Sequence, residues 1–353
     1  MTHVVLHNIN KQFKGIKALD NVSFEIKDGE FFVLLGPTGA GKTTTLRVIA
    51  GLEKQDSGSI LFDGQAVDEY TPAARDVAMV FQQYSLYPNM SVYDNLAFPL
   101  RSPMHRLDEA EIKRRVLEAT EILRIQHLIE RKTSHLSGGE MQRVSIGRAI
   151  VREPRIFLMD EPLSNLDAKL RESLRVELEH IQKTQNSTTL FVTHDQVEAL
   201  TMADRIGVLR EGKVVQVGEP NDIYDRPASI FVAQLVGTPR INLLRAGREN
   251  GTIYIENSSI QIGMETAVQP PARFTLGIRP EDILPTSDGE FGGKIGLVEP
   301  LGLETVIHLQ AGEQTILSLV PGITNLRLGD EVRFNIVRDR LHYFDGDGQR
   351  VNQ

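Results

Sequence analysis

Five apolar residues, Phe31 to Leu35, run straight into GPTGAGKT at 36–43, and this junction constrains the fold more than any other stretch. Glycine, four residues, then Gly-Lys-Thr is the pattern of a loop that cradles phosphate. Its glycines let the backbone wrap an anion, while amide N–H groups at the start of a following helix face the negative charge. That chemistry requires a strand before the loop and a helix after it. The continuous apolar run predicts a strand buried on both faces, and residues 42–50 carry a helical pattern. Lys42 can reach the β- and γ-phosphates of a nucleotide, and the Thr43 hydroxyl can ligate Mg²⁺. Gly36, Pro37, Thr38, Gly39, Ala40, Gly41, Lys42, Thr43 and Thr44 are therefore the expected phosphate contacts.

The 353 residues suggest two or three domains at about 150 residues each. Hydrophobic residues make up 41% and charged residues 24%, enough apolar material for a sizeable core and too much for a disordered chain. The absence of cysteine excludes disulfides, thiolate metal sites and a thiol nucleophile. The net charge of −8 is spread over both parts: residues 1–239 carry 28 basic and 32 acidic side chains, residues 240–353 carry 11 and 15. No basic stripe marks a nucleic-acid surface, so none is expected as a partner. The start MTHVVLHNIN lacks the pattern of a signal peptide, and no run approaches the ~18 apolar residues of a membrane span. A cytoplasmic location is the expectation.

Residues 1–235 alternate strands and helices. Val4 to Ile9 and Val22 to Ile26 read as half-buried strands; Val77 to Phe81, Ile156 to Met159 and Thr189 to Val192 are apolar and strand-sized. A helix-rich stretch at about 86–152 includes Asp108 as an N-cap, then Ile112, Val116, Ala119 and Leu123 at helical spacing. A second long helix is predicted from Leu166 to about Gln185, and a hairpin at Arg205–Val217 closes this part. From residue 236 to 353, short strand candidates at Thr252–Glu256, Phe274–Ile278, Lys294–Val298, Thr305–Leu309, Thr315–Leu319, Glu331–Val337 and Leu341–Phe344 predict a small all-β barrel.

Two further motifs carry chemistry. IFLMDE at 156–161 delivers Asp160 and Glu161 to a strand end, the first suited to holding Mg²⁺ and the second to orienting or deprotonating an attacking water. LSGGEMQR at 136–143 places Ser137, Gly138 and Gly139 at a helix start, a second anion cradle. One domain needs a single γ-phosphate cradle. A second makes sense if it completes the nucleotide site of another copy.

With these motifs in this order, residues 3–235 resemble the ATP-binding cassette (ABC) transporter ATPases. Phe13 is placed like the family's adenine-stacking aromatic, followed by the phosphate loop, VFQQ with Gln82, LSGGE, IFLMDEP, SNLDAKLR, and VTHD with His194. Singly, Phe13, Gln82 and His194 would read as packing residues; their joint order gives them roles. The resemblance implies an α/β phosphate-loop ATPase domain with a helical subdomain, ATP and Mg²⁺ as ligands, and Glu161, His194 and Lys42 as catalytic residues. It further implies that Gln82 senses the γ-phosphate and joins Thr43 and Asp160 around Mg²⁺, that Asp167 lies at a dimer seam, and that His194 contacts the γ-phosphate. Glu140 stands where the family's commonest signature has Gln, a change expected to leave the Ser137-Gly138-Gly139 cradle intact. Gly147 is expected to cost its helix up to about 1 kcal/mol without touching catalysis.

VGTPRINLL at 236–244 and GIRPEDI at 277–283 look like the linker and barrel of maltose-type importer ATPases, whose C-terminal module is an oligonucleotide/oligosaccharide-binding-like (OB-like, or TOBE) barrel. The resemblance implies a head-to-tail ATP sandwich with a second copy of the chain. Its other partners would be two permease membrane subunits and, indirectly, an extracytoplasmic solute-binding protein. It places the chain peripherally on the cytoplasmic face of the inner membrane. Carbohydrates, polyols or glycerol phosphates are the expected solutes, with polyamines or inorganic anions as alternatives. A soluble cassette ATPase acting on ribosomes or DNA fits less well, because there is one phosphate loop, one signature and an acidic tail.

Overall fold

The computed structural model describes residues 2–102, 107–264 and 269–351, and the chain divides into two units, Met1–Pro220 and Asn221–Gln353. The first opens with a hairpin of β1 (Val4–Phe13) and β2 (Ile16–Ile26), then β3 (Phe31–Leu35) and α1 (Lys42–Ala50). Next come β4 (Ser57–Phe62), β5 (Gln65–Ala66), α2 (Pro72–Arg75) and β6 (Val77–Val80). A helical segment holds α3 (Val92–Ala97), α4 (Glu109–Ile122) and α5 (Gly138–Ile150). The chain returns through β7 (Ile156–Asp160), α6 (Ala168–Gln185), β8 (Thr189–Thr193), α7 (Gln196–Met202), β9 (Arg205–Arg210) and β10 (Lys213–Gly218).

These strands form two sheets over one core. The antiparallel sheet runs β2-β1-β4-β5; the larger runs β10-β9-β3-β8-β7-β6 and is parallel except at the β10 edge. Every residue of β3, β7 and β8 is buried, as continuous apolar runs in a covered parallel sheet should be. Phe24 of one sheet stacks on Phe32 of the other at 5.1 Å between ring centres. Among the described residues, no helix is long and apolar enough to cross a membrane.

In the helical segment, Asp108 caps α4 by accepting from the Glu111 N–H at 2.8 Å, and Ile112, Val116, Ala119 and Leu123 are buried. The helix expected from Leu166 begins two residues later, because Asp167 is its cap and accepts from the Leu170 N–H. Gly147 has a packing role beyond its helix cost. A methyl group there would lie 2.9 Å from Leu123 Cδ1 and 3.4 Å from Leu96 Cδ2, so its absence lets α5 close on its neighbours.

The second unit begins at Asn221, ahead of the sequence-based break near residue 235. After α8 (Pro220–Asp225) and α9 (Ile230–Leu235) come β11 (Asn242–Glu249), β12 (Thr252–Ile255), β13 (Gln261–Gly263), β14 (Arg273–Ile278) and β15 (Ile283–Thr286). They are followed by β16 (Phe291–Pro300), β17 (Glu304–Ala311), β18 (Gln314–Pro321), β19 (Glu331–Ile336) and β20 (His342–Phe344). Two five-stranded antiparallel sheets, β13-β12-β11-β14-β20 and β15-β19-β16-β17-β18, wrap one core that includes Phe274, Leu276, Ile307, Phe334 and Tyr343. This is the expected barrel-like, OB-like architecture. Strands β11, β13 and β15 had no clear apolar run: arginines interrupt the first, the second has three residues, and Pro285 sits in the third.

The early boundary has a physical cause in Arg279. Its fully buried guanidinium donates to the carbonyls of Ala233 (3.2 Å), Val236 (2.6 Å) and Tyr224 (2.8 Å), and lies 4.0 Å over the Tyr224 ring. Ala233 also packs with Ile241 and Phe344. One arginine thus binds α8, α9 and the segment after them to the barrel. Replacing it (Arg279→Met) orphans three carbonyls and should destabilise the second unit by about 3 kcal/mol, read as a shifted midpoint in urea unfolding.

Candidate nucleotide site

The carboxyl ends of β3, β8 and β7 lie level, with Leu35 paired to Thr193 and Asp160 to Val192. A loop leaves each end, and open parallel sheets gather their chemistry there. The loop after β3 is tightly built. A side chain at Gly36 would collide with the Leu209 carbonyl oxygen, and one at Gly41, where φ is 107°, would sit 2.5 Å from the Ala18 carbonyl oxygen. Pro37, Thr38 and Gly39 are exposed, whereas Ala40 is buried and its carbonyl accepts from the Gly212 N–H at 2.9 Å. Lys42 is buried; its Nζ donates to the carbonyls of Gly36 (3.0 Å) and Pro37 (3.1 Å), while Thr44 is half-buried in the same turn of α1.

Thr43 Oγ1 donates to Asp160 Oδ1 at 2.9 Å, joining the start of α1 to the end of β7. Asp160 is buried, and desolvation pushes its pKa up against the opposing Thr43 bond. Gln82 is exposed and tied to the loop after β7: its Nε2 donates to Ser164 Oγ at 3.4 Å and its carbonyl accepts from Asn165 Nδ2 at 3.1 Å.

Glu161 is the hub. Its Oε1 lies 3.3 Å from Lys42 Nζ and its Oε2 2.9 Å from His194 Nδ1. Its φ of 45° is in the left-handed region, a backbone cost of about 1 kcal/mol tolerated where a site needs a sharp turn. Three bracing residues carried no reading of their own in the sequence. Thr193 Oγ1 accepts from the Asp195 N–H at 2.9 Å and donates to buried Glu198 at 2.5 Å, fixing the turn that carries His194. Arg171 donates to the carbonyls of Leu163 (3.3 Å) and Leu166 (3.1 Å) and pairs with Asp195 at 3.5 Å, so the Glu161 loop and the His194 turn share a brace. Arg171 lies within SNLDAKLR and was findable there; Glu198 had no local signal.

Phe13 ends β1 and is 42% exposed, with Lys11 Nζ 5.1 Å from its ring centre; Lys11 is itself held by Glu53 at 2.7 Å. One aromatic face is thus backed by a cation, which suits stacking. Asp167 is exposed at its helix cap. Ser137, Gly138 and Gly139 start α5, and among the described residues no hydrogen bond or ion pair joins them to Lys42, Glu161 or His194. The one-chain site therefore links a phosphate loop, an acid hub and a histidine, and the second cradle takes no part in those bonds among the described residues.

Glu140 does more than was expected of it. Its Oε2 accepts from both the Ser137 N–H (2.7 Å) and the Ser137 hydroxyl (2.8 Å), closing a capping box. Those bonds hold its pKa below the usual carboxylate range. An anion approaching Ser137 meets a carboxylate already seated on the donors.

Fold and site together define a phosphate-loop ATPase cassette followed by a β-barrel. A family model described as ABC transporter matches residues 19–164, and one described as TOBE domain matches 276–344. The sn-glycerol-3-phosphate import ATP-binding protein UgpC of Brucella abortus is 44% identical, with 100% of both chains covered. The alpha-glucoside transport ATP-binding protein AglK of Rhizobium meliloti is 42% identical, with 99% of both covered. A solved ATP-binding cassette, dimeric in a post-hydrolysis state with ADP and Pi, is 32% identical with a TM-score of 0.56, covering 62% of this chain and 98% of that one. The chain belongs to the ABC transporter ATP-binding proteins and is a nucleotide-binding ATPase of that family. Glu140→Gln keeps the cap but removes the charge at Ser137, and should lower the KM for ATP about three- to tenfold with kcat nearly unchanged, measured by steady-state phosphate release.

Proposed function

We propose that this ATPase powers import of a carbohydrate-type solute, a sugar, polyol or glycerol phosphate, through membrane permeases at the cytoplasmic face of the inner membrane. The observation that carries the reading is full-length likeness to proteins named for glycerol-3-phosphate and alpha-glucoside import. A second observation supports permease docking. An open groove of about 590 Å³ next to Gln82 is lined by Leu52, Ala73, Val77, Met79, Phe81 and Pro99, with Leu52 half exposed. That lining suits the apolar face of a short permease helix. An extracytoplasmic binding protein would deliver the solute to those permeases.

Two copies close head to tail over two ATP molecules in this reading. Each nucleotide lies between one copy's phosphate loop, with Phe13 on the adenine, and the other copy's Ser137-Gly138-Gly139, with Asp167 at the seam. Two cradles that share no hydrogen bond or ion pair among the described residues, in a chain that needs one, favour a second copy. The Thr43 hydroxyl and desolvated Asp160 form a hard oxygen pair that fits Mg²⁺, with Gln82 nearby on the braced loop. The ion would neutralise phosphate charge when bound. Glu161 orients and deprotonates the attacking water, Lys42 offsets charge developing on the γ-phosphate, and His194, hydrogen-bonded to Glu161, holds that phosphate in line. Hydrolysis releases the sandwich because the second cradle binds the γ-phosphate only in the closed state.

Glu161→Gln keeps the shape of the hub but removes the base. It should bind ATP, hydrolyse it at least about a hundredfold more slowly, and accumulate as a dimer with MgATP in gel filtration. A variant that stays monomeric, alone and in the full complex, removes the split-site mechanism. The solute is tested by reconstituting the chain with its co-purifying permeases and binding protein and screening sugars, polyols, glycerol phosphates and polyamines. Stimulation of ATP turnover by a carbohydrate-type solute is the expected result; stimulation by a polyamine alone, or recovery only with ribosomes or DNA, overturns it.

A further inference from the structure

The second unit holds a polar cavity that no step of ATP hydrolysis uses. It is an open pocket of about 550 Å³ bounded by Asp225 at the end of α8 and Arg226 just after it, Asp339 and Arg340 before β20, His342 on β20, and Arg350. Three guanidinium groups and two carboxylates face it, a net positive lining. Two of the arginines have acids: Arg340 pairs with Asp282 at 3.1 Å and Asp225 at 3.5 Å, and Arg226 with Asp222 at 3.6 Å.

Arg350 has none. Among the described residues no carboxylate lies within ion-pair distance of it, and its one side-chain contact is Nη1 donating to His342 Nδ1 at 3.1 Å. A guanidinium is always charged, so the acceptor nitrogen belongs to neutral imidazole. His342 is itself buried, and burial together with the charges of Arg350, Arg279 and Arg340 pushes its pKa down to about 3. Burial is the larger cause, and the three guanidinium charges act in the same direction. Arg350 is also partly desolvated, with Arg226 as the neighbouring charge that lowers its own pKa further. Leaving a partly buried cation unpaired is costly, and a bound anion would remove that cost.

The site is built rather than trailing. The Arg350 N–H donates to the Ala228 carbonyl at 2.9 Å, and Arg350 bridges Phe344 of β20, so its backbone is held on both sides. A planar guanidinium fork suits the oxygens of a phosphate, with Arg226 at the mouth as a second charge. Asp225 and Asp339 can accept from hydroxyls on the same molecule, and the volume suits a small solute. We propose that this pocket binds a small phosphate-bearing anion, with Arg350 as its principal ligand. The inference concerns the second unit alone and stands apart from the reading of the transport substrate.

The test uses the full chain with its phosphate loop saturated by MgADP. Inorganic phosphate and glucose 6-phosphate are titrated separately while the His342 ring signals are followed by NMR and binding heat by calorimetry, with glucose as the uncharged control. Saturable movement of the His342 signals with either phosphate, but not glucose, is the expected result, and the tighter of the two identifies inorganic or organic phosphate as the source. Arg350→Ala should weaken that binding at least tenfold. Because Arg350 is partly buried, exposed Arg226→Ala provides a second reading that folding cannot confound, with an expected loss of about threefold. Unmoved His342 signals at millimolar concentrations of both phosphates, or binding unchanged in both variants, overturns the proposal.

Discussion

Everything at the nucleotide site depends on the side-by-side pairing of β3, β8 and β7. Their parallel register pairs Leu35 with Thr193 and Asp160 with Val192, and the chain leaving each strand carries one group proposed for catalysis: Lys42, His194 or Glu161. Because all three strands are buried on both faces, sliding one by a residue would drive polar side chains into the core. The spacing of these three proposed groups is thereby inherited from hydrophobic packing. The Thr43–Asp160 bond locks helix to sheet at the place proposed for the divalent cation.

Around that scaffold, the loops are braced by groups that do no chemistry themselves. Arg171 ties the Glu161 loop to the His194 turn, and the Thr193–Glu198 pair sets that turn from below. Asp167 serves the α6 cap, which places the expected seam residue on a rigid helix start. Glu140 shows the same economy with a cost: the carboxylate that stabilises α5 competes for the donors that a phosphate would need. The barrel unit follows a parallel design, with buried Arg279 holding two helices to a β core and Arg350 without a carboxylate beside it among the described residues.

Much of this was legible in the residues. The phosphate loop, the Ile156–Met159 strand and the Asp108 cap announce themselves because glycine at a tight turn, continuous apolar runs and Asp before a helical period each have one dominant physical explanation. The match of β3 and α1 to the sequence reading at Phe31–Leu35 and Lys42–Ala50 follows from that. Strands β11, β13 and β15 escaped because an antiparallel strand in a small barrel can be short, arginine-bearing or interrupted by proline and still be held by its neighbours. The boundary at Asn221 escaped because it depends on one buried arginine whose three acceptors lie 43 to 55 positions away in the chain.

The sequence by itself determined the class of chemistry, since motif order and spacing are local covalent facts, and it determined that the second half would be β-rich. Only the tertiary structure decided which groups share a hydrogen bond, where the helices after residue 220 belong, and which charges pair. Those are sums over distant segments. Burial, the Glu161 bridge between Lys42 and His194, and the Arg350–His342 hydrogen bond arise only when the chain has brought such segments within a few ångströms of each other.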